Sequence, residues 1–234
     1  PKKKLWRKLV LWRREVTPAT IFCPYTVNST NSRDVKENQT LYLDHNLLIG
    51  SGGVRHVYRH PHHDDKCIKI IHNPNRQRSA KREIRYLRRY ECQGKPFKHL
   101  TRFHGWCSTN LGHGAIFDLI CDYNGQCSQP LSKHATGQAS PCLTPGEIFQ
   151  HLQSLYQHLL DHEIIICDPA PHNLVVQYSF QEKPKLVIID GIGNPHFIKL
   201  ADYLRSFAHQ LIKKKWRYYV ETNPLLAQAF TSQK

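Results

Sequence analysis

Between residues 41 and 71 the chain runs three short β-patterned segments with only turns between them: LYLDHNLLI, a glycine cluster, then VRHVYRH and DKCIKII. Connections this short allow antiparallel neighbours only, because a parallel pair needs a crossover of about a dozen residues or more. The chain is thus committed to a small antiparallel sheet before any helix is available to cover it. The first helical period comes at 76–89, with Ile84, Leu87 and Tyr90 toward a core and Arg78, Lys81, Arg82, Arg85 and Arg88 outside. AIFDLIC at 115–121 reads as a further strand.

Beyond residue 123 the pattern changes. Thr144-Pro145-Gly146-Glu147 is a capping box with Pro at the first helical position, and Ile148, Leu152, Leu155 and Leu159 form the stripe of a helix ending near His162. Three apolar runs follow, EIII at 163–166, LVVQY at 174–178 and KLVIID at 185–190, and residues 197–230 read as two helices. The order predicts an α+β chain in two lobes. A small antiparallel-sheet lobe with one helix spans 41–122, and a mainly helical lobe spans 123–234.

With 40% apolar residues the chain can bury a real core, which excludes a disordered tail. No apolar run reaches the ~18 residues of a membrane span, and no apolar core leads to a signal-cleavage site, so the expectation is cytoplasmic. Lys and Arg number 33 against 18 acids, a net +15. The bias is strongest near the N-terminus, where Leu5, Leu9, Trp12 and Val16 recur at helical spacing among seven basic residues. Residues 1–16 are therefore expected to form an amphipathic helix, either lying on the anionic inner membrane face or packed on its own domain. Residues 17–40 lose periodicity and read as a linker or irregular edge. Basic surfaces also attract nucleic acid, but no recognition motif is present. The eight cysteines include no C-x-x-C pair; Cys121, Cys127, His134 and Cys142 could gather round a metal, and scattered reduced thiols fit better.

Three sets of residues carry candidate chemistry. Gly50, Gly52 and Gly53 lie between two strands ahead of Val57, where backbone N–H groups either approach phosphate oxygens or simply close a hairpin. Lys69 stands inside the apolar run Cys67-Ile68-Lys69-Ile70-Ile71 and needs an anionic partner or solvent; Glu83 on the next helix and a ligand phosphate are the two candidates. Asp168-Pro-Ala-Pro-His-Asn173 precedes one strand, and Asp190 ends the next. Their acids and amide would converge on one cleft, with Asn173 and Asp190 suited to Mg²⁺ and Asp168 free to accept a proton. His172 is either a further base or a structural hydrogen-bonding group. Phosphoryl transfer uses parts of this kind.

In that order and on those elements, residues 41–193 resemble the protein-kinase-like superfamily. The resemblance makes Gly50 to Gly53 the phosphate-covering loop, Lys69 the strand lysine and Glu83 its helix partner. Asp168 and Asn173 match D-x-x-x-x-N, Asp190-Gly191-Ile192 matches D-F-G, and Cys121 to Gly125 becomes the adenine hinge. More narrowly, Phe103-His104-Gly105, the run from Thr109 to Asp118 and Pro171-His172-Asn173 resemble the YrbL family, named for a PhoP-regulated network protein. Asn110 to Gly114 would then be a turn between strands. The implied fold is bilobal and protein-kinase-like. The implied activity is transfer of the ATP γ-phosphate, with Mg²⁺, to a hydroxyl.

The departures are specific. Arg55 stands where a third loop glycine is usual, and its guanidinium either reaches a phosphate or points to solvent. Ile166-Cys167 replaces His-Arg, Ala170 replaces a lysine, and no Ala-Pro-Glu motif follows Asp190. Little room remains for a peptide platform, so an anionic or lipid-linked acceptor, such as a lipopolysaccharide core heptose, fits the basic surface better than a peptide. The alternatives are a nucleotide-binding pseudokinase or regulatory module, an atypical minimal protein kinase, and a membrane adaptor.

Overall fold

The computed structural model describes residues 40–73, 75, 77–194, 201 and 204–223. The expected N-terminal helix and nearly all of the 17–40 segment lie outside these residues.

Five antiparallel strands form the first sheet: β1 (Leu48–Ser51), β2 (Arg55–His60), β3 (His63–Ile71), β4 (Phe103–Thr109) and β5 (Gly112–Asp118), in the order β1-β2-β3-β5-β4. The helix α1 (Gln77–Cys92) connects β3 to β4. β3 is central and covered on both faces, which is why its sequence is a continuous apolar run rather than an alternating one. Cys67 joins the main core with Ala115 and Phe117, while Ile68 and Ile70 join Leu43 and Tyr58 in a second cluster on the other face. Close approach on that second face requires Gly114 in β5. A Cβ there would lie 2.4 Å from Ile68 Cγ2 and 2.9 Å from Ile70 Cδ1.

The segment LYLDHNLLI is not one strand. Leu41 makes a single parallel bridge to Thr109, and Asp44 then caps a 3₁₀ turn, His45–Leu47, by accepting hydrogen bonds from Asn46 N–H (2.9 Å) and Leu47 N–H (3.2 Å). An aspartate that bonds backbone N–H groups two and three residues ahead favours a turn over an extended ladder. Only Leu48–Ser51 pairs with β2. The turn expected over Asn110 to Gly114 is shorter too, since Gly112 and Gly114 already belong to β5.

The second part holds a three-stranded sheet, β6 (Gln129–Pro130), β7 (Leu174–Gln177) and β8 (Lys185–Ile188), with helices α2 (Leu131–Ala135), α3 (Pro145–Asp161) and α4 (Arg205–Thr222). The capping box forms as its sequence predicts. Thr144 Oγ1 accepts from Glu147 N–H, and Glu147 Oε2 accepts from Thr144 N–H at 2.8 Å. The stripe Ile148, Leu152, Leu155 and Leu159 is buried, and Trp216 of α4 stacks on Tyr156 of α3 at 5.1 Å. The chain is α+β, an antiparallel-sheet lobe followed by a mainly helical one. Of the two helices expected over 197–230, α4 is described and the remainder lies outside the described residues.

Candidate functional site

On β2 and β3, alternation places Arg55 and Val57 on the sheet face that carries Lys69, with Val57 opposite Lys69 and Arg55 opposite Ile71. Lys69 is opposite Ala115 on its other side. The ammonium is buried, 5% exposed. It donates to Ile189 O at 2.5 Å and lies 4.2 Å from the centroid of the Phe117 ring. Lys69 therefore meets the residue immediately before Asp190.

The helix α1 is held against the second lobe by Tyr86. Its hydroxyl accepts from Ile165 N–H at 2.9 Å and donates to Glu163 O at 3.2 Å. Glu83, one turn earlier on the helix, is 3% exposed and points its carboxylate into the cleft. Its partner differs from the expected one. Arg55 Nη1 donates to Glu83 Oε2 at 2.6 Å, Arg55 Nη2 reaches Asp190 Oδ1, and no Lys69–Glu83 pair forms among the described residues. The guanidinium fork spans two carboxylates that a single ammonium cannot bridge so well, and Arg55 lies on the correct face to do it. Arg55 thus points neither to solvent nor to open space, and it is only 8% exposed.

Asp168, Asn173 and Asp190 are tied together through backbone. Cys167 N–H donates to Gly191 O at 2.7 Å and Gly193 N–H to Ile165 O at 2.8 Å, while Asn173 Nδ2 donates to Asp168 O at 3.1 Å. The run EIII forms no strand beyond the bridge between Ile166 and Ile192. Gly191 is required here. It has φ +77°, and a Cβ would come 2.5 Å from Asp168 O. Asn173 sits in a 3₁₀ turn, Pro171–Asn173, with His172 exposed on the same turn.

The charges alter one another. Burial pushes the Glu83 carboxyl above its ordinary range despite Arg55 and Lys69 beside it. Burial also works to raise Asp190, but Lys69, Arg55 and the Gly191 N–H outweigh it and hold that carboxyl low. Burial opposes the Arg55 charge as well, and the two carboxylates more than offset it. Tyr219 of α4 is driven up first by burial and then by the Asp168 charge.

For a divalent ion, the donor chemistry fits. Asn173 spends its amide hydrogen on Asp168 O and leaves Oδ1 uncommitted, and Asp190 keeps Oδ2 uncommitted; both are hard oxygens. Asp190 Oδ1, however, is already held by Arg55 and by Gly191 N–H.

Gly50 lies within β1, opposite Val57, and Gly52 and Gly53 form the link to β2, with Gly52 N–H donating to Arg55 O at 3.0 Å. Val57 packs on the main core. The expected hinge, Cys121 to Gly125, is a closed turn: Asp122 N–H donates to Gln126 O (2.8 Å), Tyr123 N–H to Tyr178 O (2.9 Å) and Gly125 N–H to Asp122 O (2.9 Å). Those three donors are committed within the protein. The backbones of Cys121 and Cys127 form an isolated antiparallel β-bridge, and Cys142 Sγ donates to His134 O, but no cluster of three metal-ligating side chains occurs among the described residues. The described cysteines are free thiols.

Sequence reasoning missed Arg55 as the centre of the cluster. The signal was present: Arg55 is two residues before Val57, and residues two apart in a strand share a face.

Five antiparallel strands, a helix contributing a buried acid, and two acids with an amide at the second lobe define a two-lobed α+β protein. The family model for the PhoP regulatory network protein YrbL matches residues 41–223, and the chain belongs to that family. It is 26% identical over 183 residues to YrbL of Escherichia coli (strain K12), covering 77% of this chain and 86% of the relative, and equally so to YrbL of Shigella flexneri. Among solved structures, a double mutant of the PknI kinase domain of Mycobacterium tuberculosis is 16% identical, with a TM-score of 0.42 over 62% of this chain and 56% of that one.

Proposed function

We propose that this chain is an ATP- and Mg²⁺-dependent phosphotransferase acting on a hydroxyl acceptor. The observation that carries the reading is the contact of Lys69 Nζ with Ile189 O, which sets an ammonium from the sheet beside an acid of the other lobe. In the proposed roles Lys69 binds the α- and β-phosphates under Gly50, Gly52 and Gly53, and Val57 packs on the adenine. Glu83 belongs to the same site through Arg55. Asn173 and Asp190 would hold Mg²⁺, which supplies neutralisation of phosphate charge when bound. Asp168 orients the acceptor hydroxyl and accepts its proton.

An anionic or lipid-linked acceptor, such as a lipopolysaccharide core heptose, is favoured by charge. Arg78, Lys81, Arg85 and Arg88 are exposed on α1, and residues 2–16 add a basic segment suited to an anionic membrane surface.

A second reading, a nucleotide-binding pseudokinase, draws on one specific observation, the engagement of Asp190 by Arg55. Turnover separates the two. Release or transfer of the γ-phosphate by purified chain, lost in Asp168→Ala and in Asp190→Ala, supports the enzyme. Nucleotide binding without turnover supports the module, and turnover that survives the double substitution overturns the residue roles.

A further inference from the structure

The nucleotide site contains its own counter-cation. We propose that Arg55 stands in for a divalent ion at Asp190, so that the resting cleft accepts a nucleoside triphosphate without metal. This rests on the nucleotide-site reading above and adds a determinant that the kinase pattern does not contain, since Arg55 takes the place of a loop glycine.

The cluster is balanced as it stands. Arg55 and Lys69 supply two positive charges, Glu83 and Asp190 two negative ones; Arg55 bonds both acids, and Lys69 donates to Ile189 O beside Asp190. Without Arg55, Asp190 would lose the cation bonded directly to it and would repel incoming phosphates until another cation arrived. With Arg55 in place that repulsion is already cancelled. The guanidinium is held from both ends. Its backbone is paired with Ile71 across the sheet and accepts from Gly52 N–H, and its side chain is bound to both acids. Moving it off Asp190 would leave a buried cation with Glu83 alone, and Glu83 already has Oε1 buried without a partner. A divalent ion at Asp190 must therefore compete with a strongly held internal cation, and the nucleotide gains little from bringing one.

The test is calorimetric titration of the full chain with a non-hydrolysable ATP analogue, in Mg²⁺ and in EDTA. The wild type should show dissociation constants within about threefold of each other, whereas Arg55→Gln/Glu83→Gln should bind at least about tenfold more tightly with Mg²⁺. The double substitution strands no buried carboxylate, so it is the variant suited to folding. Equal Mg²⁺ dependence in wild type and double variant overturns the role of Arg55 while leaving the nucleotide site standing. Absence of binding under every condition overturns the nucleotide site itself and this proposal with it.

Discussion

Arg55→Gln should be among the most destabilising single substitutions in the sheet lobe. The guanidinium is 8% exposed and bonds Glu83 at 2.6 Å while also holding Asp190. Removing one member of a buried pair leaves the other charge uncompensated, at a cost of about 3–5 kcal/mol. Lys95–Glu163 offers the contrast: the pair spans 3.2 Å with side chains 25% and 33% exposed, and breaking it should cost no more than about 1 kcal/mol. A loss of 3–5 kcal/mol in a chain of this size corresponds to a fall in Tm of roughly 10 °C. Urea denaturation followed by circular dichroism measures it directly. The loss should depend on pH in a fixed direction. Burial already raises the Glu83 carboxyl above its unfolded value, and without Arg55 it rises further, so the variant is most stable where Glu83 is protonated and loses stability as pH climbs through that range. Arg55→Gln/Glu83→Gln removes the stranded charge and should recover more than half of the loss. A single variant as stable as wild type, or a double variant worse than the single one, would refute the buried-bridge reasoning.

Three further outcomes follow from other parts of the site. Gly191→Ala forces a side chain into φ +77° and against Asp168 O, which should cost about 2–4 kcal/mol and weaken nucleotide-analogue binding; unchanged melting and affinity would contradict the close approach. Tyr86→Phe leaves Ile165 N–H without its acceptor and Glu163 O without its donor, and a loss of about 2 kcal/mol in urea is expected, against none if the hydroxyl is idle. His158 is kept neutral by burial and by His99 and His162, its pKa pushed down to about 4. The unfolded state gains its proton first, so stability should fall as pH drops from the ordinary histidine range of about 6.5 toward 4, and His158→Gln should flatten that slope.

Much of the fold can be read from residue pattern where one force dominates. The capping box and stripe of α3 forecast that helix because backbone caps and an apolar face act over a single turn each. The β3 run forecast a strand, and the fold buries it on both faces. Errors arose where a local hydrogen bond competed with pattern. Asp44 turned an apparent strand into a 3₁₀ turn, and EIII, although buried, found its main partners in α1 and in the segment 191–193 instead of in a ladder. For the site, spacing brought Asp168, Asn173 and Asp190 into view as one set, and the resemblance to the protein-kinase-like superfamily added Lys69. It did not show which cation meets which acid, because that depends on side-chain length and on the face each strand presents after pairing.

The exchange of partners at Glu83 has a consequence for Lys69. An ammonium paired with a helix glutamate depends on that helix for its position. Lys69 instead takes a carbonyl at 2.5 Å and the face of Phe117, two partners independent of α1. Arg55 becomes the group that links α1 to Asp190, since it touches Glu83 on one side and the acid on the other. The chain thus divides between two cations what one lysine does in the pattern it resembles. Lys69 meets the segment before Asp190 through Ile189 O, and Arg55 links Glu83 of α1 to Asp190 itself. Displacement of α1 should accordingly disturb Asp190 through Arg55 before it disturbs Lys69.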